Sequence, residues 1–488
     1  MVMLLYKLKN NVADEIESAW VSVSYSLCRR LEALSWRIVI EPTLKKIAAP
    51  AQPGSLVAGL TLIVLACLTI SSSAARAEGL QVLHWWKSSS ERRAIDLIAA
   101  RLVEEQVDWR DSMIPGGSGV GAGIVLRSRV LAQDAPEVAQ VNGIVIAEWA
   151  RLGLLLELDG VALAGKWDKL LLPSVAALIA PGAHVVAAPL GIHRINTLFF
   201  NRKLLAQHHL APPASWDQFE RAAHTLQQAG VVALAQSSEP WQVATLFETL
   251  VLAEGGADFY RALFIARDAN AYANPALERA LMRLRGLKKW MSKPVLERPW
   301  TDMARQLADG GAAMMVMGDW VKGELNAWGL TTDVQFGCVA APGTGGLHLY
   351  NVDTLAMLAP RQAGQLQGQS HRQAQEKLAA IAMSASVQND YNQVKGSVPV
   401  LRNPQLAKMD GCARASWTLF AAGGAVPSVV HRMALDEIVR DAIVAEVHRF
   451  FLDDAIPVAD SLRRLGAIGR ASTASRPSAA TISPSRTR

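Results

Sequence analysis

The side chains best equipped for recognition chemistry are indoles and carboxylates in polar surroundings. Trp85 and Trp86 stand in tandem, Trp241 follows Pro240, and Trp320 follows Gly318-Asp319. The chain holds 14 Trp against 6 Tyr, so the indoles are unusually numerous. An indole face matches the apolar C–H face of a pyranose, and its ring N–H can serve a hydroxyl. Core packing is the ordinary role of any single tryptophan. A tandem pair fits that role less well, because a strand running through it would send the two side chains to opposite faces. Glu91 offers a two-oxygen acceptor for hydroxyl groups, but it also lies three residues after Ser88, the spacing of a capping box, and the cap is the stronger reading. Asn351 and Asp353 flank Val352 after Gly343-Thr344-Gly345-Gly346, so strand alternation puts both on one face. Such a pair suits a diol; a solvated strand edge would look the same. Lys395, in Lys395-Gly396-Ser397, and His431 are unremarkable taken singly.

Other chemistries find less support. The run from Pro115 to Gly123 contains a G-x-G-x-x-A match, yet Arg110-Asp111-Ser112 makes a poor preceding strand, and a flexible or close-approach loop is the better reading. No P-loop, G-x-S-x-G, H-E-x-x-H or paired C-x-x-C occurs, so no catalytic residue, metal site or cofactor is expected. Glu91 and Asp353 can still be read as paired carboxylates beside a sugar, which keeps a secreted glycoside hydrolase as the rival from another class.

These residues need a scaffold, and the hydrophobic pattern supplies one. Short apolar runs at 80–83, 185–189, 197–201, 313–317 and 336–340 read as strands. Helical periods cover 88–107, 215–230, 240–254, 275–291 and 374–383. This alternation predicts an α/β architecture.

The N-terminal region reads as an export signal. Lys45-Lys46 precede a charge-free stretch from Ile47 to Ala75, and Ala75-Arg76-Ala77 gives a cleavage site after Ala77. The apolar core from Leu56 to Ile70 is short for a spanning helix. Val64-Leu65-Ala66-Cys67 also resembles a lipobox, which would make Cys67 a lipid-bearing first residue, and a retained anchor is the third option. The 44 residues before the signal match either an early start codon or a cytoplasmic extension. Processing would remove Cys28 and Cys67 and leave Cys338 and Cys412, as one disulfide or as two buried thiols. About 390 residues would then remain before the tail, more than one core usually holds, so two lobes are expected. The formal charge of +6 draws on arginines in the Ser/Ala/Pro-rich tail, with the other charges dispersed; nucleic acid is not an expected partner.

Taken in order, the segments resemble the extracellular solute-binding proteins of ATP-binding-cassette sugar importers, of the periplasmic glucose/mannose-binding type. The likeness is carried by 82–86 with Glu91, the Gly-rich stretch with 126–130, Ile192-His193-Arg194-Ile195-Asn196, Pro240-Trp241-Gln242, 317–324, Ala341-Pro342-Gly343-Thr344, Asn351-Val352-Asp353, 395–400, and Pro427-Ser428 with His431. It implies a two-lobed periplasmic-binding fold, type II and maltose-binding-protein-like, with hinged lobes. The N-terminal lobe would comprise 78–190 and 342–396 and the C-terminal lobe 191–341 and 397–469, after an extension and signal over 1–77 and before a disordered basic tail over 470–488. Trp85, Trp86, Glu91, Asn351 and Asp353 would come from the first lobe, Trp320 and His431 from the second, and Lys395 from near a crossing, with Trp241 a further contact. Trp320 would stack opposite the first lobe's aromatic. The resemblance also implies that Cys338 and Cys412 pair. Where similar proteins tend to carry a Lys before the Gly of Gln140-Val141-Asn142-Gly143, this chain has Asn142, an amide that both donates and accepts. The implied activity is binding a monosaccharide, glucose or a close aldohexose, as a periplasmic monomer that delivers it to a membrane permease. A sugar-sensing adaptor for a chemoreceptor or sensor kinase is the alternative within that reading.

Overall fold

A computed structural model describes residues 78–114, 120–359 and 365–471. The segment expected to direct export, with Cys28, Cys67 and Ala77, residues 115–119 of the Gly-rich stretch, and the tail beyond 471 lie outside the described residues. The helix Val458–Ala471 runs into the start of that tail.

Strand β1 (Glu78–His84) is parallel to both β2 (Val107–Met113) and β3 (Val138–Gln140). Leu80, Val82 and Leu83 are all fully buried, the near-continuous apolar run of a parallel strand covered on both faces. Strand β9 (His348–Met357) runs antiparallel to β3 and to β4 (Ala187–Arg194), and its first residues pair in parallel with β10 (Ala425–Pro427). A second sheet has the order β6-β7-β5-β8, with β5 (Thr197–Asn201) between β7 (Ala312–Met317) and β8 (Phe336–Ala340), and β6 (Val232–Leu234) at the edge.

Each sheet has its own core. Helix α1 (Ser89–Glu104) buries Ile95, Ile98 and Leu102 in the first core. That core also takes Leu355 of β9, Leu378 of α5 (Gln365–Ala382) and Tyr391 of α6 (Ala385–Lys395). The second is built on Phe199, Met315 and Phe336 from its sheet, Leu246 and Phe247 from α3 (Pro240–Tyr260), and Phe450 and Phe451 from α8 (Glu437–Leu452). Among the described residues, no helix is long and apolar enough to cross a membrane.

The chain passes between the sheets three times: from β4 into β5 over 194–197, from β8 into β9 over 340–348, and after β10 at Ser428. Asn196 ties the first two crossings together, donating to Thr344 Oγ1 (2.8 Å) and Leu347 O (3.0 Å) and accepting from Leu349 N (2.8 Å). At the third, the buried carboxylate of Glu248 on α3 accepts from Tyr260 Oη (2.9 Å), Ser428 Oγ (2.6 Å) and Val429 N (3.0 Å).

The lobe limits differ from those expected. Strand β4 stays in the first sheet through Arg194 rather than leaving at 190. Val398, Val400 and Leu401, together with Ala413 and Phe420 of α7 (Gly411–Ala421), pack into the first core, and β10 completes its sheet. The last crossing therefore comes after Pro427, not at 397, because the apolar residues between those points have their partners on the first sheet. Cys338 of β8 and Cys412 of α7 form a disulfide across 74 positions, and it joins the second sheet to a helix of the first lobe.

Candidate ligand-binding site between the lobes

The two lobes meet around a cavity of about 160 Å³. Trp85, Trp86, Glu91, Asn142, Trp241, Trp320, Asn351, Asp353, Lys395 and His431, all singled out in the sequence, line it. Lys87, His193, Glu239, Trp300 and Arg432 line it as well.

The first lobe contributes its groups from strand ends and helix ends. Strand β1 ends at His84, so the alternation that would part Trp85 from Trp86 does not operate. Instead Trp85 N donates to Gln140 Oε1 (3.3 Å) and Trp86 N to His84 Nδ1 (3.2 Å), turning both indoles to the cavity with ring centres 6.4 Å apart. Glu91 fills its anticipated capping role and also faces the cavity. Its Oε2 closes the capping box by accepting from Ser88 N (3.1 Å), while Oε1 faces Lys395 Nζ (3.2 Å). Lys395 ends α6 inside the first lobe; it does not sit near a crossing, because the chain stays in that lobe through Pro427.

Asn351 and Asp353 share one face of β9, as the alternation predicts. Asp353 Oδ1 accepts from Asn142 (3.0 Å), Asn351 (3.2 Å) and Gln140 (3.4 Å). Its Oδ2 faces His193 Nε2 at 3.1 Å. Burial pushes this carboxyl up, but His193, Lys395 and Asn142 outweigh it and hold Asp353 well below the ordinary carboxylate range. Asn142 also accepts from Thr354 N (3.2 Å), so its amide fixes Asp353 and its strand.

The second lobe contributes α4 (Trp320–Ala327), α3 and the chain after Ser428. Trp320, Trp241 and His431 form an aromatic cluster, with ring centres 5.4 Å apart for Trp320 and His431 and 6.3 Å for Trp241 and Trp320. His431 Nδ1 lies 2.9 Å from Ser428 Oγ, which donates onward to Glu248. Among the described residues, three buried atoms of this cluster, Trp241 Nε1, Trp320 Nε1 and His431 Nε2, have no hydrogen-bond partner. With Nδ1 engaged by Ser428, His431 has only Nε2 left for a further partner.

Arg432 enters the cavity with a φ of 67° and pairs with Glu437 (3.3 Å). Gly143 makes room for it, since a Cβ there would lie 1.9 Å from Arg432 O. Burial, with Arg440 nearby, pushes the Arg432 guanidinium down to about 9.

The lobes also grip each other beside the cavity. Glu324 of α4 accepts from Ser89 N (3.2 Å) and Ser90 N (2.8 Å), placing an anion at the N-terminus of α1. Lys322 pairs with Asp410 (2.8 Å), and Arg127 of α2 (Val120–Leu131) pairs with Glu437 of α8. Gly323 lets α4 approach the end of α6: an added Cβ would stand 2.5 Å from Lys395 O.

His193, Trp300 and Arg432 escaped the sequence reading. His193 lay in a segment carrying the family likeness but was a lone histidine in an apolar strand. Trp300, after Pro299, sat in the polar context already used to pick the other indoles and was the one legible miss.

Comparison with known proteins follows the architecture. The family model described as bacterial extracellular solute-binding protein matches residues 91–363. A "probable sugar-binding periplasmic protein" of Rhizobium meliloti is 31% identical over 395 residues, covering 78% of this chain and 94% of that one. Its namesake in Brucella suis is 30% identical over 392 residues, 80% and 91% of the two chains. Among solved structures, the bacterial receptor AcbH, described as preferring β-D-galactopyranose exclusively, superposes with a TM-score of 0.69 at 16% identity over 82% of this chain and 100% of that one. Maltose-bound MalE3 of T. maritima gives 0.66 at 16% identity, covering 81% and 99%. These likenesses show the two-lobed, maltose-binding-protein-like fold. The chain belongs to the bacterial extracellular solute-binding proteins of ABC transporters.

Proposed function

We propose that the protein binds one aldohexose, such as glucose, in the interlobe cavity and delivers it as the periplasmic component of an ABC importer. The observation carrying this reading is the convergence of four indoles, Trp85, Trp86, Trp241 and Trp320, on the same space as Glu91, Asn351, Asp353, Lys395 and His431. Aromatic faces meet the sugar ring from one lobe; carboxylates, an amide and an ammonium meet its hydroxyls from the other.

Size supports a single ring. The cavity's 160 Å³ is on the order of the ~150 Å³ space that holds one benzene, and short of the roughly 300 Å³ at which drug-sized pockets begin. Relatives named as sugar-binding periplasmic proteins support the ligand class and the compartment. A ligand touching both lobes binds the closed form better than the open one, and that difference drives closure. The closed form then docks on the permease, with no covalent step. Of the carboxyl pair that a glycosidase reading would use, Asp353 is held ionised and is unsuited to be the proton donor.

Tryptophan fluorescence titration with D-glucose, D-galactose and D-xylose tests the reading. The expected result is saturable binding of an aldohexose that weakens by at least about tenfold, or 1.4 kcal/mol, in two or more of Trp85→Ala, Trp86→Ala and Trp320→Ala. If all three variants bind like wild type, the site is wrong.

A further inference from the structure

His193 belongs to neither group of expected ligands, yet it stands where the lobes and the site meet. It is fully enclosed on β4 of the first lobe. Its Nδ1 lies 2.5 Å from Asp319 Oδ1, and Asp319 immediately precedes Trp320 in the second lobe. Its Nε2 lies 3.1 Å from Asp353 Oδ2 in the first. Its ring meets the edge of the Trp320 indole, with centres 5.4 Å apart.

The donor count decides its state. An ionised carboxylate only accepts, and neutral imidazole has one N–H, so two carboxylate partners are served together only by the imidazolium. The surrounding charges agree. Asp319 faces His193 from the start of α4, Asp353 from β9 and Lys395 from the end of α6, while Arg194 follows it on β4 and gives its backbone N–H to Asp319 Oδ2 (2.9 Å). Burial pushes the imidazole down; Asp319 and Asp353 outweigh burial and Lys395 and raise it above its ordinary value. Among the described residues Asp353 Oδ2 accepts from His193 alone, which leaves a lone pair for a ligand hydroxyl.

Resting on the sugar-binding reading, we propose that His193, as an imidazolium, is a positioning residue that clamps Asp353 of the first lobe to Asp319 of the second, so that ligand affinity depends on its proton. Although His193 lines the cavity, both of its ring nitrogens are taken by carboxylates, so it acts through them. It fixes the carboxylate that accepts a hydroxyl and, through Asp319, the origin of the helix that carries Trp320. Loss of the proton leaves one of the two carboxylates without a donor, and the closed geometry loosens at both ends of the clamp.

Two measurements on the full chain test this. Histidine ring ¹⁵N spectra of the free protein, assigned by difference with His193→Gln, are expected to show both His193 nitrogens protonated above pH 6.5, the ordinary midpoint of about that value notwithstanding. Fluorescence titrations with D-glucose, D-galactose and D-xylose from about pH 6 to 9 are expected to show affinity that is flat at low pH and falls up to about tenfold per unit once the proton is lost. In His193→Gln, affinity drops about tenfold and the pH dependence flattens; Asp319→Asn weakens binding although Asp319 does not line the cavity. A purely packing role would lower affinity without moving the pH profile. A His193 with a single ring N–H near neutrality, or a His193→Gln variant keeping both affinity and profile, overturns the clamp. Failure of wild type to bind any of the three sugars removes the sugar reading and the coupling with it, and is told apart by the ring spectra, which register the clamp without ligand.

Discussion

Glu248 shows how much one buried side chain can hold. Its carboxylate serves Tyr260, Ser428 and the backbone at 429, and so anchors the third crossing to α3. Replacing it by Gln turns one acceptor oxygen into an amine facing donors. The expected cost is about 3 kcal/mol, the size of one or two stranded buried groups, seen as a lower thermal midpoint. The pH dependence of stability is set by other residues and its sign follows from their shifts. The native value of His193 is raised, so its contribution is complete below about 6.5, the unfolded value, and disappears as pH climbs through the native one. Asp353 is depressed, so its contribution is present above about 3.9 and disappears as pH falls through its lower native value. Urea midpoints across the pH range should therefore decline on the alkaline side, and His193→Gln should remove that decline. In Glu91 the sequence showed a cap and a candidate ligand; the cap is present through Oε2, while Oε1 turns to Lys395 beside the cavity. His193 stayed hidden because its meaning lies in partners 126 and 160 positions away.

At the scale of elements, the contact of α4 with α6 governs how tightly the lobes seat. Gly323 faces Lys395 O, and Gly396, with φ of 93°, would place a Cβ 2.5 Å from Asp319 O. Gly323→Val should wedge these helices apart while leaving both cores intact. The expected outcome is an unchanged thermal midpoint, a larger radius of gyration by X-ray scattering with sugar present, and binding weakened by about tenfold or more. Strands and helices with strong periodicity were legible: 197–201 and 336–340 coincide with β5 and β8. Strand β2 was not, since its Val107-Asp108-Trp109-Arg110-Asp111 run is polar and mostly exposed, as an edge strand can be. The strand expected at 185–189 runs from Ala187 to Arg194 because β9 pairs with it on both sides of an irregularity at Leu190. A pattern of single residues carries no record of that pairing.

For the whole molecule, two lobes were legible from length and the family likeness, but the last boundary was misplaced by about thirty residues. Lys395-Gly396 looks like the end of a lobe because Gly396 ends a helix; the apolar residues that follow return to the same core. The Cys338–Cys412 bond closes a loop of 74 positions. Chain-entropy reasoning gives it about 4 kcal/mol. Cys338→Ser with Cys412→Ser should lower the thermal midpoint by several degrees, and adding reductant to wild type should reproduce the shift.

That bond also constrains motion. Three backbone passages and one sulfur bridge tie the halves together, so sliding and independent twisting are suppressed and the remaining freedom is rotation about a shared axis. One angle would then describe any opening and closing of the cleft. A pair of spin labels placed across the mouth of the cleft, or a single environment-sensitive dye at its rim, would follow that motion with one readout, and the protein is for that reason a natural frame for a reagentless optical sensor.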